Sequence, residues 1–237
     1  MLFLLLRSEL SPSKLDDFER SSSLPPITVA NAFLLSLYRL QDARTIRKIV
    51  SIDEHTVLAF AGLTADARVL IDRVRTEAQS YRLVMEDSPS VDYMARFLAK
   101  IQQKYTQQGG VRPFGIATLI TGIGANPDEP DKPYLYQTDP AGTHSRWKAQ
   151  AIGGRNAKSL REFLEKQYQA DMTEQQCVRL AVQALLEVVD SGAKTMEICV
   201  VRAGGDKEML AEDSVQVVCD EIEAEQQEGQ AAAATES

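Results

Sequence analysis

The chain has few of the residues that build common metal and thiol sites. Its 237 residues include two histidines, three cysteines and one tryptophan. His55 and His144 lie far apart, and neither has a Cys, Asp or Glu partner at a metal-ligand spacing, so we expect no structural metal. An odd number of widely spaced cysteines predicts reduced, buried thiols in a protein of the cytoplasm or nucleus.

Long apolar runs and an excess of positive charge are also missing. No apolar run approaches the roughly 20 residues of a membrane span. The apolar segment 1–6 is too short and wrongly flanked for a secretory signal. The formal net charge is −8, which argues against a nucleic-acid-binding surface. We therefore predict neither a membrane nor a nucleic acid as a partner.

Motifs for nucleophilic or phosphate chemistry are absent as well. No Gly-x-Ser-x-Gly pattern supports a serine triad. The stretch 153–159 fails the Walker pattern, because Ala157 and Ile152 stand where glycines are needed. A threonine nucleophile must be chain-terminal, and the only Gly-Thr pair is Gly142-Thr143, in the middle of the domain. We predict a chain with no catalytic residue and no cofactor.

Apolar periodicity beyond position 44 predicts a regular succession of strands and helices. Strands are predicted at 48–52, 56–60, 114–122, 134–138, 145–148, 149–152 and 196–202, and helices at 64–85, 91–105, 157–168, 173–189 and 211–225. Thr64 or Asp66 is expected to cap the first helix. This order predicts one α+β domain with helices packed on antiparallel sheets.

The two ends of the chain differ from this central part. Segment 9–26 is rich in serine and proline turns, whereas 27–40 is apolar enough to be buried as either a strand or a helix. Towards the other end, Glu221, Glu223, Glu225 and Glu228 precede an alanine run. That composition predicts a solvated tail.

Three sequence blocks together resemble a known family. They are Ala61-Gly-Leu-Thr-Ala-Asp-Ala-Arg68, Tyr105-Thr-Gln-Gln-Gly-Gly-Val-Arg-Pro-Phe-Gly115 and Tyr136-Gln-Thr-Asp-Pro-Ala-Gly-Thr143. In order and separation they are similar to the alpha-type subunits of the 20S proteasome, which is far more specific than one short motif. Segments 40–48, 161–166 and 184–192 resemble one particular paralogue among those subunits.

The resemblance implies a fold, a role and partners. The implied fold is the N-terminal-nucleophile hydrolase fold, in which helical layers sandwich two antiparallel sheets. The implied role is a non-catalytic subunit in the outer ring of the 20S core, in ubiquitin-dependent protein degradation by a threonine-type endopeptidase complex. The implied partners are other proteasome alpha and beta subunits and the C-terminal tails of regulatory particles.

The resemblance also implies two groups of site residues. Lys48, Gly62 and Leu63 would line the pocket that receives regulator tails, where a cation and open backbone suit a terminal carboxylate. A second group would lie in a corner that shapes subunit contacts: Tyr105, Arg112 and Phe114. For Phe114, plain core packing is the alternative.

The start of the chain departs from the family pattern. The Tyr-Asp-Arg gating segment, a helix ending in Val-Glu-Tyr-Ala and a strand with Gly-x-x-x-Val-Gly cannot be read in 1–40, so pore gating is not transferred. We divide the chain into a divergent segment 1–39, an alpha-type domain 40–225 and an acidic, alanine-rich tail 226–237. Missing leading strands would leave a sheet edge uncovered. Two alternatives stay open: a free-standing amide hydrolase of the same fold, and a variant subunit unable to enter the ring.

Overall fold

Two five-stranded antiparallel sheets form the centre of the molecule. The computed structural model describes residues 2–7, 29–34, 47–123, 133–153, 157–169, 172–186, 196–202 and 206–235. The strands are β1 (Leu2–Arg7), β2 (Val29–Leu34), β3 (Ile49–Ser51), β4 (Thr56–Gly62), β5 (Ile116–Ile123), β6 (Pro133–Thr138), β7 (His144–Arg146), β8 (Ala149–Ile152), β9 (Met196–Val201) and β10 (Lys207–Met209). The helices are α1 (Thr64–Met85), α2 (Val91–Gln107), α3 (Ala157–Gln167), α4 (Glu174–Leu186) and α5 (Glu212–Thr235).

The two sheets differ in how they are connected. The second sheet, in the order β3-β4-β5-β6-β7, pairs each strand with the next one along the chain. The first sheet has the order β10-β9-β2-β1-β8 and combines strands from both ends of the sequence. Within it, β1 pairs with β2 and β8, and β2 pairs with β1 and β9. The two N-terminal strands therefore occupy the interior of this sheet.

This placement corrects the expectation of an uncovered edge. Because β1 and β2 have a partner strand on each side, neither of them leaves the sheet open. The apolar run 27–40 contributes the strand Val29–Leu34, which decides between the strand and helix alternatives. The other residues of segment 1–39 lie outside the described part of the chain.

Apolar side chains form three core clusters that account for the layers. One cluster joins α3, α4 and α5 to the first sheet and includes Leu164, Leu185 and Val200. A second joins α1 and α2 to the second sheet. The third holds residues of both sheets, among them Leu119 and Val201, so the sheets face each other across it. Burial of these faces is the main stabilising term of such a domain.

Polar contacts join the two sheets at opposite margins. At one margin the Lys207 ammonium donates to the Ser51 hydroxyl and, over 2.6 Å, to the carbonyl oxygen of Asp53. At the other margin the side-chain amide nitrogen of Gln150 donates to the side-chain oxygen of Gln137 over 2.8 Å. Each contact links β10 or β8 of the first sheet to the second sheet. Together they fix how one sheet lies on the other.

The predicted helices and strands are present, but several ends differ: β5 starts at Ile116 rather than 114, and β7 is His144–Arg146 rather than 145–148. The N-cap of α1 is Leu63, which makes no side-chain capping bond, so the expected caps Thr64 and Asp66 are wrong. Both lie inside the helix, and the Asp66 carboxylate bonds elsewhere. At the other end, α5 continues to Thr235 rather than ending at 225, since the alanines, glutamines and glutamates there favour helix. No helix in the described part of the chain is long and apolar enough to cross a membrane.

Candidate functional site

The turn after α2 brings the second sequence block to a sharp corner. α2 buries an apolar face that includes Met94 and Leu98 and ends at Gln107. Gly110 follows with φ of +80°, a conformation that favours glycine. The helix therefore stops and the chain reverses towards β5, because Pro113 fixes its own φ and disfavours a helical conformation in the residue before it. Arg112 lies at this corner.

Asp66 holds the corner from the first sequence block. Its carboxylate accepts two hydrogen bonds from the Arg112 guanidinium, at 2.6 and 2.7 Å, and a third from the Gly115 amide at 2.9 Å. The hydrogen bonds from Arg112 and Gly115 outweigh burial and hold the pKa of the Asp66 carboxyl below its usual range. Asp66 is buried, while the Arg112 side chain is 64% exposed. The pair thus fixes the backbone and leaves one face of the arginine open to a partner.

Gly62 allows β4 and the second block to approach closely. Its φ is +133°, and a Cβ built there would lie 2.1 Å from the Gly115 carbonyl oxygen. The next residue, Leu63, donates its amide to that same oxygen over 3.1 Å. Only glycine fits this position, and the Leu63 side chain beside it is 53% exposed.

The third sequence block packs against α2 on the way to this corner. The Asp139 carboxylate accepts hydrogen bonds from the amides of Ala141 and Thr143, which forms a tight turn. Gly142 in that turn has φ of +88°, and a Cβ there would lie 2.7 Å from the Ala99 carbonyl oxygen. All three blocks that carry the family resemblance therefore meet around the C-terminal half of α2.

The predicted subunit-contact residues do lie together. The rings of Tyr105 and Phe114 pack with centroids 4.5 Å apart. The Arg73 guanidinium lies 5.4 Å from the Tyr105 ring centroid and donates to its hydroxyl over 2.9 Å. Phe114 is buried in the cluster beneath α1 and α2. In the single chain Phe114 therefore serves as core, while Arg112 is the exposed member of the group.

Lys48 lies close to Gly62 but is covered. Its carbonyl oxygen accepts the Phe60 amide over 3.3 Å, which places Lys48 beside β4, two positions before Gly62. Only 6% of Lys48 is exposed, and this burial lowers the pKa of its ammonium, with the Glu197 carboxylate opposing the shift. Burial in turn raises the pKa of Glu197, which accepts the Lys48 amide. The predicted tail-pocket residues are therefore neighbours, with Leu63 and Gly62 open and Lys48 enclosed.

Two further features concern metal-binding groups and a buried cysteine in the described regions. No group of three or more His, Cys, Asp and Glu side chains there could hold a metal ion. Burial raises the pKa of the Cys199 thiol to about 11, so this cysteine stays protonated at neutral pH and is a poor nucleophile.

Sequence reasoning missed the central role of Asp66. The aspartate lies within the Ala-Gly-Leu block, but a helix cap was the only use that the local pattern suggested. Its partner Arg112 is 46 positions away, so spacing alone carried no signal of the pair. The presence of an aspartate in one block and an arginine in another was the one available hint.

Comparison with known proteins agrees with the resemblance. The family described as Proteasome subunit matches residues 35–201. Proteasome subunit alpha type-7 of Dictyostelium discoideum is 55% identical over 189 residues, which cover 80% of this chain and 73% of the relative. Proteasome subunit alpha type-7-B of Oryza sativa subsp. indica is 53% identical over 194 residues, which cover 82% of this chain and 76% of the relative. Proteasome subunit alpha type-8 of Mus musculus is 49% identical over 197 residues, which cover 82% of this chain and 77% of the relative.

These similarities extend across the three blocks that meet at the corner and over most of the chain. The paralogue resembled by segments 40–48, 161–166 and 184–192 is alpha type-7, and the identity of about half to alpha type-7 proteins of several species confirms that prediction. The chain therefore belongs to the proteasome subunit family and is an alpha-type member of it.

Proposed function

We propose that this chain is a non-catalytic structural subunit in the outer ring of the 20S core. The observation that carries this proposal is its similarity to alpha type-7 subunits over four fifths of its length. The arrangement of two facing antiparallel sheets with helices on their outer sides supports the N-terminal-nucleophile hydrolase fold. In this role the chain contributes surfaces to a threonine-type endopeptidase complex whose chemistry lies in other subunits.

Exposed apolar side chains support assembly with other alpha and beta subunits. Leu83, Val84 and Met85, at the end of α1, are 84%, 70% and 60% exposed. A contiguous apolar group of this kind is typical of a surface that another protein covers. The open guanidinium of Arg112 adds a charged contact at the corner beside Tyr105 and Phe114.

We further propose that Lys48, Gly62 and Leu63 receive the C-terminal tails of regulatory particles. Leu63 offers an exposed apolar surface, and Gly62 offers open backbone next to it. A tail carboxylate would pair with the Lys48 ammonium. Lys48 is covered in the single chain. This pairing therefore requires that assembly of the ring expose the Lys48 ammonium to the tail.

A tail peptide tests this pocket in the assembled particle. Lys48→Met keeps the buried apolar stem and removes the charge, so we expect weaker binding of a regulator tail peptide with a free carboxylate. A C-terminally amidated peptide is the matched control, and its affinity should be the same for both particles. Equal affinity of the free-carboxylate peptide for the two particles would show that Lys48 takes no part.

Co-purification tests the ring role itself. The chain, tagged at its C-terminus and expressed in its own cells, should bring down other alpha subunits, beta subunits and peptidase activity. Recovery without beta subunits would contradict the proposal. In the cell we place this function in the cytoplasm and nucleus, within ubiquitin-dependent degradation, and the three buried cysteine thiols fit a reducing compartment.

A further inference from the structure

A cleft of about 530 Å³ opens between the β7–β8 connection and α3. We propose that this cleft binds an acidic peptide segment of a partner protein, with an apolar side chain of that segment seated on Trp147. Three cationic side chains line it, Arg146, Lys148 and Arg161, against one acidic side chain, Glu165. This site goes beyond the ring-subunit function and is separate from the corner around Asp66.

The three cations are available to an anionic ligand. No carboxylate in the described part of the chain forms an ion pair with any of them. Arg146 lies over the Tyr134 ring, 4.6 Å from its centroid, which orients the guanidinium without neutralising it. Arg161 uses its Nε to bond the Ala151 carbonyl oxygen over 3.1 Å, and a guanidinium has four further N–H donors.

At Ala151, the edge of the first sheet at this cleft offers no unpaired backbone group to an added strand. The Ala151 amide donates to the Gln150 side-chain oxygen over 3.0 Å, and the Ala151 carbonyl accepts from Arg161. Both outward backbone groups at this position of β8 therefore already have partners. A peptide bound here is recognised through side chains, with carboxylates meeting cations, rather than as an added strand.

An exposed tryptophan in the cleft indicates that the ligand carries an apolar side chain as well as carboxylates. Trp147 is 40% exposed and lines the cleft together with the buried Leu164. An exposed tryptophan beside cations suits a segment that combines an apolar side chain with carboxylates. A short peptide meets only the local cations, because charges more than about 8 Å away are screened at physiological ionic strength. A long nucleic acid would extend over a surface whose net charge is −8.

Trp147 is the only tryptophan of the chain, so its fluorescence reports on this cleft alone. The probe is a capped peptide with one leucine between two pairs of glutamates, titrated into the full chain at physiological ionic strength, where the net charge of −8 is screened. We expect a saturable change in Trp147 emission. The same peptide with glutamines in place of its glutamates should give no such change. Lys148→Gln should weaken binding about threefold, and Arg146→Gln combined with it about tenfold.

Lys158→Gln is the matched control, because Lys158 lies on α3, is 91% exposed at its side chain and does not line the cleft. The affinity of the Lys158→Gln variant for the acidic peptide should equal that of the unchanged protein. Circular dichroism should show that all variants are folded. Absence of saturable binding, or an equal loss for the Lys158 variant, would overturn the proposal. So would tighter binding of sulfate or of a short single-stranded oligonucleotide. The assay uses the isolated chain rather than the assembled ring. A negative result here can therefore be distinguished from a failure of the chain to assemble into the 20S core.

Discussion

Gly62 shows how one position can join two distant blocks of sequence. A Cβ there would meet the Gly115 carbonyl oxygen at 2.1 Å and the Ile116 Cα at 2.9 Å. Both neighbours are backbone, so neither can rotate away. We expect Gly62→Ala to lower the free energy of unfolding by about 3 kcal/mol or more, measured by urea unfolding of the full chain.

Gly109→Ala is the matched control for that substitution. A Cβ at Gly109 meets nothing within 4 Å, so its effect should stay within about 0.5 kcal/mol. Equal destabilisation by the two alanines would show that the close approach at Gly62 does not decide the result.

Asp66 gives the corner a pH dependence of known sign. The pKa of its carboxyl is lower in the folded chain than the value of about 3.9 in an unfolded one. Its contribution is therefore fully present above that value and is lost as the pH falls through the folded-state pKa. We expect Asp66→Asn to be less stable by about 1–2 kcal/mol at pH 7, with the difference shrinking below pH 4 in urea titrations. A difference that stays constant down to pH 3 would refute this account.

The sequence anticipated some of these residues and not others. The family resemblance predicted Arg112 at a corner, and the two glycines and Pro113 next to it are local signals that end a helix. The burial of Lys48 was not predicted, since the Glu197 beside it comes from a strand far along the chain. Local chemistry is readable from sequence, whereas the partners that neutralise or cover a charge depend on tertiary contacts.

At the scale of elements, periodicity predicted most helices and strands. α1 ends at Met85 and α2 starts at Val91, as their apolar spacing indicated. The N-terminal strands were harder, because the short apolar runs at 2–7 and 29–34 fit a strand or a buried helix equally well. β1 gains its partners from β2 and from β8, a strand more than a hundred residues away. Pairing between strands so far apart in the sequence leaves no local pattern from which it could be predicted.

The contact between β10 and the β3–β4 turn makes a prediction about how the two sheets are joined. Lys207→Met removes the donor to Ser51 and to the Asp53 carbonyl while keeping a similar apolar stem. We expect a loss of about 1–2 kcal/mol in the free energy of unfolding. Lys158→Met, at an exposed lysine whose ammonium lies 4.0 Å from Glu162, should change it by less than about 0.5 kcal/mol. A loss for Lys207→Met no larger than for its control would mean that the apolar layer alone fixes the sheets.

At the scale of the whole molecule, the fold presents several surfaces suited to other subunits. The exposed apolar end of α1, the Arg112 corner and the Leu63 surface all lie at or next to the ends of α1 and α2. Because Leu83 and Val84 are 84% and 70% exposed, we expect Leu83→Lys combined with Val84→Lys to leave the stability of the isolated chain within about 0.5 kcal/mol. The same change should reduce recovery of the chain in the assembled particle, as quantified after tagged purification. Unchanged recovery would show that this surface stays outside the subunit contacts.

The central claim is that the chain is a structural part of the 20S core. Native mass spectrometry of the chain, purified from its own cells through a C-terminal tag, tests it most directly. The account predicts recovery within a particle of 20S mass, with a peptide covering β1 still present in the incorporated chain. Recovery only as a monomer or as an aggregate would contradict it.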